Sequence, residues 1–150
     1  MTSEFGVAVH ALVFLSHRQT THSSEELAQN ICTNPARVRK IMSKLKKAGL
    51  IETKEGAEGG YSFVLAPEKV SLCEVAKAVG VRFVGVSWRS GDIHKKCMIA
   101  SGMADIMDGI YNDLNRICLE RIDNISILDI RRQIFAGKEE KENTPAPEWI

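Results

Sequence analysis

Apolar residues recur every three or four positions along most of this chain and alternate with polar ones over one short stretch, which predicts helices and a single β-hairpin. Val7, Leu12 and Leu15, with Ala8 and Ala11, form the first helical stripe. Ser3 is placed to cap it, and it runs to about Ser16 before "RQTTH" breaks the pattern. Ser23 and Glu26 have capping-box spacing, so a short second helix is expected from about Glu25 to Ile31, with Leu27, Ala28 and Ile31 turned inward. Asn34 followed by Pro35 is a strong start signal, because the amide side chain caps and proline in the first turn forfeits no hydrogen bond. The third helix is therefore expected from about Pro35 to Ala48. Val38, Ile41, Met42 and Leu45 lie on one narrow face of it, and Gly49 ends it. Two short helices joined by a tight turn make a helix-turn-helix unit.

The segments "LIETKE", "GAEGG" and "YSFVLA" follow. Tyr61, Phe63 and Leu65 alternate with smaller or more exposed residues and the glycines supply a turn, so this is a hairpin in the position of a wing. Pro67 closes the unit. Ser71 and Glu74 repeat the capping box and start a helix over about Leu72 to Val79, which stops at Gly80. "VRFVGVSWRSGD" has no period and is expected to be a loop, with Trp88 packed over the core. Ile99, Met103, Ile106, Ile110, Leu114 and Ile117 mark a long helix from about Lys96 to Arg121, and a last helix begins near Ser126. The end, "AGKEEKENTPAPEWI", is polar and contains proline, as disordered tails do.

Composition adds limits. The 150 residues are 44% hydrophobic and 26% charged, as in soluble globular proteins, and no apolar run reaches the roughly 20 residues of a membrane helix. The apolar start has no basic leader and is interrupted by Glu4 and His10, so it is a core helix rather than an export signal. Cys32, Cys73, Cys97 and Cys118 form no CxxC pair, which disfavours a disulfide framework or a zinc knuckle and places the chain in the reducing cytoplasm.

Charge changes the picture most. The net charge is +1, yet Arg37 to Lys47 holds six basic residues, and Thr33 to Lys54 holds seven against the single acid Glu52. That segment carries 7 − 1 = +6, so the remainder is −5. A cationic helix inside a helix-turn-helix, with a hairpin after it, is the arrangement that lays a helix in the major groove of duplex DNA. By helical spacing Arg37, Lys40, Lys44 and Lys47 oppose the apolar face and Arg39 and Lys46 flank it. Base contacts are expected from Asn34, Arg37, Arg39 and Lys40, and phosphate contacts from Lys44, Lys46 and Lys47. Ser24, Thr33, Lys54 and the wing's Gly59, Gly60 and Tyr61 complete the candidate DNA-contacting set.

The run "SSEELAQNICTNPARVRKIMSKLKKAGLIETKEGAEGGYSFVLAPEKVSLCEVAKAV", with "VAVHALVFLSH" before it and the long helix after it, resembles the Rrf2 family of bacterial winged-helix transcription regulators over about residues 4 to 135. Its most specific parts are LxKAGLI at 45–51 and the wing's GGY, Gly59 to Tyr61. The resemblance implies a mainly α fold with a small β-hairpin wing. Residues 1–66 would be a winged helix-turn-helix DNA-binding domain and 67–95 a connecting helix and sensor loop. A dimerisation helix and final helix would fill 96–135, and the polar, proline-containing composition of 136–150 makes that stretch a disordered tail. It also implies a homodimer on a palindromic operator, with the wing tip near the minor groove. Many members carry arginine where this chain has Glu55, a carboxylate that phosphates would repel unless Lys54 compensates.

Several members hold an iron–sulfur cluster through three cysteines at the start of the long helix. Here only Cys97 falls in that window, with Met103 where a second would lie and His94 nearby, so no cofactor or metal is expected. Cluster-lacking, oxidant-responsive members use cysteines that Cys32 and Cys97 resemble. Cys32 precedes the start of the third helix, and Cys97 follows Lys95 and Lys96, settings that favour thiolates. A Cys32–Cys97 bridge between subunits would make the protein a thiol-modulated repressor. Cys73 and Cys118 read as filler. The competing readings are a winged-helix protein–protein module, a regulator sensing a small molecule or a labile cluster, and a thiol enzyme using Cys97 with His94 as base. For the enzyme, no orienting carboxylate or oxyanion-hole motif lies nearby.

Overall fold

The structure, a computed structural model, describes residues 2–142 and the side chains of residues 3–137. Its elements are α1 (Thr2–Arg18), α2 (Ser24–Ile31), α3 (Pro35–Lys47), β1 (Glu52–Lys54), β2 (Gly60–Ser62), α4 (Leu72–Val79), α5 (Met98–Asp123) and α6 (Ile127–Glu142), with a 3-10 turn over Pro67–Lys69. The fold is mainly α with a two-stranded antiparallel wing.

Local chemistry sets most boundaries. Ser23 Oγ accepts from the Glu26 amide at 3.2 Å while Glu26 Oε2 accepts from the Ser23 amide at 3.1 Å, and Ser71 with Glu74 repeats the exchange at 3.2 and 2.8 Å. Asn34 Oδ1 accepts from the Ala36 amide at 2.7 Å. Each such cap contributes about 1 kcal/mol. Ser3 does not cap α1. It lies inside the first turn, and its hydroxyl accepts from Arg37 Nη2 at 2.8 Å. A third capping box missed in the sequence, Ser126 with Asp129, opens α6, and those hydrogen bonds hold the Asp129 carboxyl below its ordinary value.

The core is built where α1, α2, α3 and α4 converge: Leu12, Leu15, Leu27, Val38, Ile41, Met42, Leu45 and Val75 are fully buried, and Ile127 of α6 joins them. Cys73 is buried at its edge. Leu72 N donates to Ile125 O and Ile127 N donates to Val70 O, which straps the start of α6 to the start of α4.

Three expectations are corrected. β2 ends at Ser62: Phe63 is buried, but Val64 and Leu65 turn outward because the chain leaves the hairpin for the Pro67 turn. Trp88 is 74% exposed rather than packed on the core. Its loop is tied to α5 by Arg89, which bonds Asp105 and Asp108, and by Asn115 accepting from the Phe83 and Val84 amides, and these polar ties leave the indole outside. α6 continues to Glu142, past the expected start of a tail at 136, and the rest of that tail lies outside the described residues.

Candidate nucleic-acid interface

At about 100° per residue, the buried stripe of α3 fixes what the remaining positions face. Ala36, Arg39, Lys40, Ser43, Lys46 and Lys47 are exposed, whereas Arg37 and Lys44 are half-buried. The ridge Arg37–Lys40–Lys44–Lys47 is therefore not the open face. The N-terminal turn of α1 lies along its flank. Glu4 places Oε2 at 2.8 Å from Lys44 Nζ and Oε1 at 3.6 Å from Lys40 Nζ, and Lys44 also donates to Val79 O at the end of α4. The Lys44 ammonium holds the Glu4 carboxyl below its ordinary value.

The other flank of α3 meets the start of α2 and the wing. Arg39 Nη1 donates to Ser24 Oγ at 3.2 Å and to Glu25 Oε1 at 3.4 Å. Tyr61 lies within electrostatic range of Arg39 and Glu25, and burial raises its hydroxyl above the ordinary tyrosine value. The wing is held there by backbone. His22 N donates to Tyr61 O at 3.0 Å and Tyr61 N donates to His22 O at 2.8 Å, adding a third strand position to the hairpin. Gly60 makes this approach possible, since a Cβ at that residue would sit 2.2 Å from His22 O, with φ at +153°.

The sequence candidates are thus distributed unevenly. Ser24, Arg39 and Tyr61 gather at one junction, with Lys40, Lys46 and Lys47 along the open face of α3. Asn34 is exposed with its side chain engaged as a cap, and Thr33 is half-buried. Lys54 is exposed at the end of β1, Gly59 and Gly60 are half-buried, and the wing tip presents Glu55 and Glu58. Glu4 and Glu25, which neutralise three of the cations, were not among the candidates. Their position in the first turns of α1 and α2 was the available signal.

The thiols are far apart in the chain and differently set. Cys32 is the left-handed C-cap of α2, with φ at 60°, exposed, and its thiol donates to Gln29 O at 3.7 Å. Cys97 is exposed at the N-cap of α5. It makes no complete capping bond, yet the amides of Ala100 and Ile99 lower its thiol below the ordinary value.

Along its exposed side, α5 carries Met103, Ile106, Ile110, Leu114 and Ile117, all between 38% and 64% exposed, and none of its residues is buried. Among the described residues no helix is long and apolar enough to cross a membrane.

The sequence profile of the Rrf2 family, described as iron-dependent transcriptional regulators, matches residues 1–133. The chain belongs to the Rrf2 family. It is similar to YwnA of Bacillus subtilis (strain 168), named as an HTH-type transcriptional regulator, with 28% identity over 90% of this chain and 99% of that one. In fold it matches a Lactobacillus plantarum protein assigned as a transcriptional regulator, with a TM-score of 0.79 and 24% identity over 95% of this chain and all of the other. It also matches CymR, the global cysteine regulator of B. subtilis, with a TM-score of 0.63 and 14% identity over 89% and 96% of the two chains. This Rrf2 protein is accordingly a winged-helix, DNA-binding transcriptional regulator, of a family that is not enzymatic.

The iron in the family's description needs several convergent donors. Among the described residues no three His, Cys, Asp or Glu side chains gather around a common point. His94 is the nearest companion in sequence to Cys97, and Cys73 is buried in α4. Among the described residues, the side chains present do not form the donor set that such a group needs.

Proposed function

We propose that this Rrf2 protein is a homodimeric, sequence-specific repressor acting in the cytoplasm, which reads a palindromic operator through the Arg39–Lys40–Ser43–Lys46–Lys47 face of α3. The observation that carries this reading is the junction of Arg39 with Ser24 and the Tyr61 wing, which sets three elements beside one exposed cationic helix face. Arg39 is the principal base reader, pre-oriented by Ser24 and Glu25, and Lys46 and Lys47 meet phosphates. The wing contributes Lys54 and backbone near Gly59 and Gly60. Its carboxylates Glu55 and Glu58 keep the tip out of the minor groove.

Dimerisation uses α5. Its stripe recurs every three or four residues over a helix about 39 Å long at 1.5 Å per residue, a length of apolar surface that a second copy buries. Two-fold symmetry then demands half-sites separated by about one helical turn or a multiple of it.

Occupancy is lowered by oxidation. Cys97 and Cys32 are both exposed, and a peroxide taking two electrons and two protons from the pair leaves a disulfide with two waters, or with one water and an alcohol when the peroxide is organic. The bridge joins Cys97 of one subunit to Cys32 of its mate and requires Cα atoms within about 7 Å. The anchorage of Cys32 immediately before α3 carries the strain to the reading helix.

Gel-shift titration against a randomised duplex pool tests the core reading: enrichment of a palindrome is expected, and equal affinity for all duplexes would overturn it. On a nonreducing gel, oxidant should produce a crosslinked dimer that Cys32→Ser and Cys97→Ser each abolish. An unchanged monomer band sinks the thiol switch alone.

A further inference from the structure

A cleft of about 760 Å³ opens between α1 and α6, away from the α3 face. Phe5, Phe14, Ile134 and Phe135 form its apolar walls, while His17 and Arg18 stand at one end. Arg18 is the fixed cation, its guanidinium 5.5 Å above the Phe14 ring, and His17 stacks on Phe135 with ring centroids 4.6 Å apart. No acidic side chain lines the cleft among the described residues. Apolar walls with a guanidinium and an imidazole side by side and no carboxylate complement an amphipathic anion, and the volume lies in the range of small-molecule sites.

Gly6 adds an independent observation. It sits inside α1, where glycine costs about 1 kcal/mol relative to alanine, and a Cβ built on it would meet nothing within 4 Å. No close packing demands glycine there. Its missing side chain leaves the floor of the cleft open.

The cleft is also wired to the reading head. α1 provides one wall, and the same helix holds Lys44 and Lys40 through Glu4, Arg37 through Ser3, and Asn30 of α2 through His10 at 2.7 Å. A ligand that changes the spacing of α1 and α6 therefore acts on both helices of the helix-turn-helix.

We propose that the α1–α6 cleft is an effector site for an aryl-alkanoic acid or a closely similar apolar monocarboxylate, whose ring lies against Val9, Val13 and Ile134 and whose carboxylate meets Arg18 and His17. This rests on the regulator reading, because the consequence of occupancy is an altered grip on DNA.

The probes are 4-phenylbutyrate and its uncharged isostere 4-phenylbutyramide, titrated into the full chain while the imidazole NMR signals are followed. The chain has four histidines, so the readout is local. Phenylbutyrate is expected to shift His10 and His17 most, to move His22 less through its contact with Phe14 at 5.0 Å, and to leave His94 in place, with the amide at least tenfold weaker. Arg18→Ala should weaken the acid about tenfold and leave the amide unchanged. Gly6→Leu should abolish binding, while Gly6→Ala, which gains helix propensity and leaves space, binds like the wild type. Saturating acid should change operator affinity about fivefold or more, the lower end of ordinary allosteric coupling. Equal binding of acid and amide, unmoved His10 and His17, or wild-type binding by Gly6→Leu each overturns the site. If Ile134→Glu turns the dimer into monomers, the cleft is a contact between copies and the proposal is equally overturned. Acid binding with unchanged DNA affinity overturns the effector role. Loss of sequence-specific binding in the ligand-free protein would instead count against the regulator reading.

Discussion

Arg39 and Lys44 each contribute one positive charge to α3 and lie five residues apart, so a description by charge alone gives their removal the same effect on DNA binding. The structure separates them. Arg39 stands on the open face, held by Ser24 at 3.2 Å and by Glu25 at a longer 3.4 Å in a solvent-exposed pair that a base edge can displace. Lys44 is half-buried and already satisfied by Glu4 at 2.8 Å and by Val79 O. Arg39→Ala should remove a bidentate base contact worth about 1–3 kcal/mol, a loss of roughly 5- to 150-fold in operator affinity, with little effect on folding. Lys44→Ala should cost about 1 kcal/mol of stability by removing a charge-assisted hydrogen bond, discounted for its partial exposure, and change operator affinity by about twofold or less. Fluorescence anisotropy at several salt concentrations reads both terms. Lys46→Ala or Lys47→Ala should flatten the log–log salt slope by about 0.9, as loss of one phosphate contact requires, whereas Lys44→Ala should leave the slope unchanged. Equal losses for Arg39→Ala and Lys44→Ala, or a shallower slope for Lys44→Ala, would mean that the flank beside α1 faces the DNA and would refute the assignment.

Other consequences follow from the same geometry. Gly60→Ala should release the wing from the turn before α2, because a methyl 2.2 Å from His22 O cannot be accommodated without moving backbone; a stability loss of about 2 kcal/mol or more by urea titration is expected, and a wild-type midpoint would contradict it. Glu4 has a carboxyl lowered in the folded state, chiefly by Lys44, so its contribution is present above the unfolded glutamate pKa and fades as pH falls toward the folded value. Comparing wild type with Glu4→Gln should therefore show a stability gap at neutral pH that closes on acidification, and a gap that widens in acid would reverse the sign. If α5 pairs two copies as proposed, Leu114→Glu, at a position 44% exposed and repeated in each copy, should weaken their association about 100-fold by analytical ultracentrifugation while far-UV helicity persists. An unchanged association constant would move the interface elsewhere.

The sequence by itself determined the helical elements, because capping is local. Ser23 with Glu26, Asn34 with Pro35, Ser71 with Glu74 and Gly80 set helix ends within a few residues of the side chains that form them, and the stripe Val38–Ile41–Met42–Leu45 determined which side of α3 is buried. The family motifs LxKAGLI and GGY were legible for the same reason, since each encodes a turn and its immediate packing. Which cations remain available was not legible, because that depends on neighbours distant in the chain: Glu4 meets Lys44 across forty positions, and Glu25 meets Arg39 across fourteen. A helical wheel places Arg37 and Lys44 away from the core but does not say that α1 lies along that flank. The exposure of Trp88 and the cleft between α1 and α6 are likewise products of assembly, since one follows from ties between a loop and α5 and the other from two helices more than 100 residues apart. Periodicity decides what a residue turns away from, and only the packed structure decides what it turns toward.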